Sequence, residues 1–151
     1  IAVYIGAIPG AIPPLLGWVA ATGRFSAAAG ILFLIQFVWQ FPHFWAIAWV
    51  LDDDYKKAGY RLLPLASGRS KSTAALIFIS SALLVPISVL PFMISMSGML
   101  SVISLVLGSL ALAYMAAKLY RSLSIKDAKN LMFASILYNP FVLVVLLIDK
   151  V

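Results

Sequence analysis

The chain has 151 residues, of which 64% are hydrophobic and 11% charged, and its formal net charge is +6. Soluble domains are about 45–50% apolar and about 25% charged, so this composition predicts an integral membrane protein whose surroundings are the lipid bilayer. The basic residues cluster in two short segments between apolar stretches, which is typical of topology signals and argues against nucleic acid as a partner. There is no cysteine, which excludes disulfides and thiolate metal sites.

The apolar stretches predict an all-α bundle of five transmembrane helices. The first covers about Ala2–Ala21 and contains prolines and glycines that membrane helices tolerate; the second covers about Ala27–Leu51. Ser72–Ala117 is a charge-free run of 46 residues. A single helix of that length would measure about 69 Å, roughly twice the bilayer core. We therefore expect two helices joined by a turn at Ser95–Gly98, and a fifth helix over about Leu131–Ile148.

The charges of the connections predict the orientation of these helices. The connection Asp52–Lys71 carries five Lys/Arg and the connection Lys118–Lys129 carries four, whereas Arg24 is the one base in the two opposite connections. Basic connections stay on the inner side of a membrane. Both basic connections should therefore face the cytoplasm or the mitochondrial matrix.

Three adjacent aspartates, Asp52, Asp53 and Asp54, follow the second apolar stretch where that helix meets water. Carboxylates bind divalent metals, and the bases that follow them can bind phosphate oxygens. Consecutive helical residues point in different directions, so one or two of the three carboxylates can face one ion. Mg²⁺ commonly takes only one or two carboxylates together with water and phosphate oxygens. The pattern predicts a metal–diphosphate site; the alternative is that the acids only cap the helix at the interface.

The bases after the aspartates divide into two groups. Lys57 and Arg61 are four residues apart and would share a face if this segment is helical, in which case they could clamp a diphosphate together. Lys56, Arg69 and Lys71 are expected to be topology anchors and lipid headgroup contacts.

A polar stripe lies deeper in the second helix. His43 precedes Asp54 by eleven residues, which is close to three helical turns and places it about 16 Å deeper in the bilayer. Gln36 and Gln40 lie near the same face. Polar groups at that depth are functional candidates and should face the bundle interior; the alternative for His43 is a hydrogen bond to a neighbouring helix. The aromatics around it, Phe41, Phe44 and Trp45 among them, could also line a pocket for a flat or isoprenoid ligand.

Three runs resemble a known family. GAIPPLLGW (Gly10–Trp18), WQFPHFWAIAW (Trp39–Trp49) and DDDYKKAGYRLLP (Asp52–Pro64) are similar to the protohaem IX farnesyltransferases, or haem O synthases, of the UbiA-type intramembrane prenyltransferase superfamily. The resemblance covers essentially the whole chain.

The resemblance implies a nine-helix fold with two aspartate-rich motifs. Residues 1–151 would be the C-terminal part of that single domain, with helices five to nine and the second motif; the first motif lies on N-terminal helices absent here. The implied reaction transfers a farnesyl group from farnesyl diphosphate to a vinyl group of haem B with Mg²⁺, in the bacterial cytoplasmic membrane rather than the mitochondrial inner membrane.

Carried over by position, Asp54 with Tyr55 matches the core of the second motif. This favours Asp54 as the main metal ligand, ahead of Asp53 and then Asp52. Asp54 and Asp53 are the expected catalytic residues, and Tyr55 is expected to contact the substrate. The resemblance also implies that His43, Gln40 and Gln36 line the haem side of the cavity.

Two other functions stay open at this point. One is a UbiA-type prenyltransferase acting on a quinone precursor or chlorophyllide. The other is half of a membrane transporter with an ion site at the aspartates, although transporters usually place such acids near the middle of the membrane.

Overall fold

A computed structural model describes residues 2–151, and these residues form seven α-helices. The one β-type pairing within that range is an isolated bridge between Ser97 and Lys150. The all-α prediction is therefore confirmed. The helices are α1 (Ala2–Thr22), α2 (Ala27–Val50), α3 (Asp52–Lys57), α4 (Lys71–Ile87), α5 (Leu90–Met93), α6 (Met99–Ser122) and α7 (Ile125–Ile148).

Five helical segments are long and apolar enough to cross a membrane, which confirms the predicted number. Helices α4 and α5 together form the third span, Lys71–Met93. The predicted turn at Ser95–Gly98 is also correct, because α6 begins directly after it at Met99.

The connection before the last helix is much shorter than its charges suggested. It was predicted over Lys118–Lys129, but α6 continues to Ser122 and α7 begins at Ile125. Leu123 adopts a left-handed conformation (φ 52°) that ends α6, and the Ser124 hydroxyl accepts a hydrogen bond from the Asp127 amide to cap α7. The basic residues of this segment therefore lie on the ends of α6 and α7, beyond the apolar stretches. A charged residue at the membrane surface does not by itself end a helix.

Helix α2 is the centre of the bundle. It packs against α1, α4 and α7, while α6 packs against α4 and α7. Helices α2, α4, α6 and α7 thus surround one core, and α1 lies outside it against α2. Only 11% of the residues in the most apolar part of α1 are buried, compared with 50% for α2.

A buried glutamine fastens α1 to α2. Gln40 is 3% exposed, and its Nε2 donates to the Ala7 carbonyl at 3.1 Å and to the Gln36 carbonyl at 3.3 Å. Gly10 of α1 lies directly against this amide, and a Cβ at Gly10 would overlap with Gln40 Oε1. The small residue therefore permits the close approach that such interhelical polar contacts need.

We predict that Gly10→Ala loosens α1. The added methyl displaces the Gln40 amide from its hydrogen bond to Ala7, and overpacking of this kind costs about 1–3 kcal/mol. Thermal unfolding in detergent should show a lower midpoint. Gly10→Ala combined with Gln40→Ala should recover part of the loss, and equal midpoints for Gly10→Ala and wild type would contradict the close-packing argument.

The orientation is testable because the chain has no native cysteine. Ala66 and Ser95 are both exposed and lie in connections at opposite ends of the bundle. We expect Ala66→Cys to react with a membrane-impermeant maleimide only after the membrane has been permeabilised, so that the reagent reaches the cytoplasmic side. Ser95→Cys should react in intact cells. Reaction of both from the same side would show that the topology is wrong.

Candidate diphosphate and metal site at the end of α2

The three aspartates form the first turn of α3, which continues α2 after a single residue, Leu51. The Leu51 amide donates to the Ile47 carbonyl at 3.0 Å, and the Leu51 carbonyl accepts from the Tyr55 amide at 3.0 Å. The chain thus passes from one helix into the next with little interruption. Carboxylates are favoured at a helix N-terminus, which explains why three acids are tolerated here.

Helix α3 ends in a Schellman motif, and this corrects one prediction. The Gly59 amide donates to the Lys56 carbonyl at 3.0 Å, and the Tyr60 amide donates to the Tyr55 carbonyl at 2.8 Å. Gly59 has φ +78°, which glycine adopts without strain.

Because the helix stops at Lys57, Arg61 does not share a helical face with that residue. Arg61 instead lines a surface depression of about 380 Å³ together with Lys56, Gly59 and Tyr60.

The three carboxylates pair with three different bases. Lys56 Nζ donates to Asp52 at 2.6 Å, Arg69 Nη1 donates to Asp53 at 2.9 Å, and Lys57 Nζ donates to Asp54 at 3.2 Å. The three side chains also differ in exposure to water, which is 6% for Asp52, 66% for Asp53 and 73% for Asp54. Asp53 and Asp54 are therefore accessible from water and Asp52 is not.

Asp52 belongs to the packing of the connection. Its carboxylate lies beside Gly68, where an added Cβ would be 3.7 Å from Asp52 Oδ2 and 3.4 Å from Lys56 Nζ. The Gly68 carbonyl in turn accepts from the Thr73 hydroxyl at 2.7 Å, which joins the connection to α4. The Asp52–Lys56 pair thus helps to fix the loop.

The sequence predicted Arg69 only as a topology anchor and lipid headgroup contact, and the structure gives it contacts within the site. Its Nε donates to the Trp49 carbonyl at 2.7 Å and its Nη2 to the Val50 carbonyl at 3.2 Å, so the guanidinium caps the C-terminus of α2, where a cation is favoured. The same group binds Asp53. The hydrogen bond from Arg69, and then its positive charge, lower the pKa of Asp53 below its ordinary value. The lowered pKa extends the ionised range of Asp53 further toward acidic pH.

The residues 2–151 contain no group of three or more His, Asp or Glu side chains that could enclose a metal. Mg²⁺ needs only one or two carboxylates when a diphosphate supplies further oxygens. Asp53 and Asp54 each engage their base through a single oxygen. The exposed acids therefore suit one half of such a site.

The polar stripe on α2 does not converge on one point. The Gln40 side chain points toward α1, and the backbone carbonyl of half-buried Gln36 accepts a hydrogen bond from it. His43 turns toward α7, where its Nδ1 lies 2.8 Å from the Ser135 hydroxyl. Tyr55 is half-buried on α3, and its backbone takes part in the Schellman motif.

An aromatic row runs along α2 toward the aspartates. Phe33, Phe37, Phe41 and Trp45 follow one another at four-residue intervals, with ring centroids 5.1–5.8 Å apart. Tyr4 of α1 packs on the end of this row nearer the aspartates, with its ring centroid 5.3 Å from that of Phe41 and 5.7 Å from that of Trp45. Two more four-residue steps lead from Trp45 to Trp49 and then to Asp53. Phe33, Phe37 and Phe41 are half-buried, whereas Trp45 and Trp49 are 4% and 0% exposed. The accessible part of the row therefore ends near Phe41, and buried tryptophans lie between it and the charged site.

Comparison with known proteins places the chain in a family. Residues 1–137 match the UbiA prenyltransferase family, and the chain belongs to it. Among similar proteins, those of Cytophaga hutchinsonii, Flavobacterium psychrophilum and Solibacter usitatus are 48%, 46% and 37% identical over 100%, 99% and 97% of this chain. All three are named protoheme IX farnesyltransferase.

The chain spans about half the length of these curated relatives, because the matches cover 53%, 51% and 50% of them. No solved structure matches the chain. The family match favours the prenyltransferase interpretation over the transporter half.

Proposed function

We propose that this chain is the C-terminal part of an enzyme that transfers a farnesyl group from farnesyl diphosphate to a vinyl group of haem B, giving haem O. The observation that carries the proposal is the 48% identity, over the entire chain, to a protein named protoheme IX farnesyltransferase. An N-terminal set of helices with the first aspartate-rich motif would complete the domain, in the bacterial cytoplasmic membrane.

The charged site supports the departure of diphosphate. Asp53 and Asp54 are the residues that would hold Mg²⁺, which when bound neutralises charge on the leaving diphosphate. Lys57 and Arg61, both exposed, bind phosphate oxygens from the two sides of the Schellman turn. Arg69 fixes the end of α2 and pairs with the Asp53 carboxylate. The surface therefore combines acids for a metal with bases for an anion.

The aromatic row supports the binding of the prenyl chain. The half-buried rings from Phe33 to Phe41 rise about 12 Å along α2, which suits part of an extended isoprenoid lying parallel to the helix. Aromatic faces also stabilise a cation, and an allylic cation forms as diphosphate leaves. Because the row lies among apolar residues, it keeps water from that cation until the vinyl group has reacted.

The proposal can be tested with a chimera in which this chain follows the N-terminal portion of the C. hutchinsonii relative. The chimera is produced in a bacterial strain that makes no haem O of its own. Extracted haems are separated by chromatography and identified by their masses in mass spectrometry. We expect haem O, with its farnesyl group derived from labelled farnesyl diphosphate; prenylation of a quinone precursor without haem O would assign the chain to the other branch.

A further inference from the structure

A groove runs along the surface between α6 and α7, from the end predicted to be cytoplasmic toward the middle of the membrane. It consists of two cavities of about 340 Å³ and 350 Å³, which share Ala134 and Leu137 as lining residues. The first cavity has Lys118 and Asn130 at its mouth, and the second reaches as far as Phe141. The two cavities therefore form one continuous α6–α7 groove with a polar mouth and an apolar interior.

The length of the α6–α7 groove matches one leaflet of a bilayer. Asn130 and Phe141 are eleven residues apart on α7, which corresponds to a rise of about 16 Å. Half of a hydrocarbon core of about 30 Å is about 15 Å. Phe133 and Leu137 line the groove between these two residues and are 60% and 71% exposed. The groove therefore has the length and the apolar lining that suit one acyl chain.

The inner part of the groove is shaped by aromatic rings of α7 that pack on α6. A Cβ at Gly108 would lie 3.1 Å from Tyr138 Cε2 and 3.6 Å from Phe141 Cε1, so the glycine permits both rings to lie close to α6. The Tyr138 hydroxyl is 2.8 Å from Ser109 Oγ, and Tyr138 is 5% exposed. The floor of the groove is thus fixed by packed side chains.

The bases around the mouth are not neutralised by acids of the chain. The segment that joins α6 to α7 and the adjoining helix ends have four basic residues, which are Lys118, Arg121, Lys126 and Lys129. Among residues 2–151, none of these four forms an ion pair. The acid between them, Asp127, accepts hydrogen bonds from the Ser122 and Ser124 hydroxyls instead. The mouth of the groove therefore presents uncompensated positive charge at the membrane surface.

We propose that the α6–α7 groove binds an anionic phospholipid, with the phosphate at Lys118 and Asn130 and one acyl chain extending toward Phe141. Lys118 Nζ lies 5.9 Å from the centroid of the Tyr114 ring, which lines the same cavity, so its charge stays at the mouth. A phosphate bound by a cation of α6 and an amide of α7 joins the two helices. Basic pockets between transmembrane helices on the inner side of a membrane bind anionic headgroups in this way.

The headgroup is tested by native mass spectrometry of the chimera with phosphatidylglycerol and phosphatidylcholine that carry the same acyl chains. Wild type should retain phosphatidylglycerol in preference to phosphatidylcholine. Lys118→Gln should weaken phosphatidylglycerol binding about fivefold, which is the effect of one base near an anionic lipid, and Lys118→Arg should keep wild-type binding. Equal retention of the two lipids by wild type would overturn the proposal.

The matched control for the headgroup is Lys71→Gln. Lys71 Nζ lies 6.0 Å from the centroid of the Tyr120 ring, so it also pairs with a tyrosine of α6 at the same end of the bundle, but it does not line the groove. This variant should bind phosphatidylglycerol as wild type does. An equal loss of binding in Lys71→Gln and Lys118→Gln would show that the lipid responds to total charge, and it would overturn the assignment of the phosphate to the groove.

The acyl chain is tested with phosphatidylglycerol that carries a photoreactive group at the end of one chain. Crosslinks should map to peptides that contain Leu137 or Phe141. Ala111→Phe adds a ring to an exposed residue of the inner cavity and should abolish these crosslinks, whereas Leu110→Phe adds bulk beside the groove and should not. Crosslinks confined to the N-terminal portion of the chimera would show that its helices cover the groove. Displacement of the lipid by farnesyl diphosphate would assign the groove to the prenyl chain. Either result would overturn the proposal.

Discussion

Asp54→Asn in the chimera is expected to lower turnover by about 10²–10³-fold, the usual cost of removing one electrostatic stabiliser from a reaction centre. The amide keeps the shape of the side chain but removes the charge that would hold Mg²⁺ on the diphosphate. Folding should change little, because the Asp54 carboxylate is 73% exposed and contacts an equally exposed lysine at 3.2 Å. Haem O per mole of folded protein measures the effect.

Asp52→Asn provides the contrast. This carboxylate is 6% exposed and bonded to Lys56 at 2.6 Å, so its loss leaves a base without its partner beside the packed connection. We expect a lower unfolding midpoint and less protein in the membrane, with turnover of the remaining enzyme reduced much less than by Asp54→Asn. Normal turnover by Asp54→Asn would refute its assignment, and the reverse ranking would assign the site to Asp52.

The membrane helices were predictable because their cause is local. A bilayer requires about 20 apolar residues per helix, and the sequence shows where charge interrupts such runs. The same rule misplaced the start of the last helix. Four of the six residues 125–130 are charged or polar, yet they form the start of the helix because Ser124 caps it and a helix does not need a continuous apolar run once it has left the bilayer.

The charged site was predictable in kind but not in arrangement. Three acids next to bases can be read from the sequence, whereas their pairing depends on how the connection folds back. Arg69 is 16 residues from Asp53 and 20 from Trp49. A helix cap formed across such a distance cannot be predicted from local residue spacing. Conversely, Gly59 two residues after Lys57 is a recognisable C-cap signal, and it could have excluded the shared helical face of Lys57 and Arg61.

The polar stripe shows the same limit. A helical projection places Gln36, Gln40 and His43 near one face, but it cannot tell which neighbouring helix each one meets. Gln40 and His43 differ by about 60° around the helix axis, and that angle sends one to α1 and the other to α7. Tertiary contacts, with Gly10 on one side and Ser135 on the other, decide the role of each side chain.

Residues 1–151 alone are expected to make no haem O from haem B and farnesyl diphosphate. Asp53 and Asp54 supply only part of the charge that a magnesium diphosphate requires, and Mg²⁺ dehydrates too reluctantly to bind tightly to one or two exposed carboxylates. Helix α1 also leaves large apolar side chains exposed, among them Ile5 at 65% and Ile8 at 55%. The substrate cavity would therefore lack a wall as well as half of its charge.

Co-expression of this chain with a separate N-terminal portion of the C. hutchinsonii relative should restore part of the activity of the chimera, because membrane helices can insert independently and then associate. Haem O is measured in membranes that contain either piece, both pieces or the chimera, at matched protein levels. Gly10→Ala should reduce the restored activity more than that of the chimera, since a loosened α1 presents a poorer surface to a separate partner. Robust turnover by residues 1–151 alone with Mg²⁺ would show that one aspartate-rich motif is sufficient.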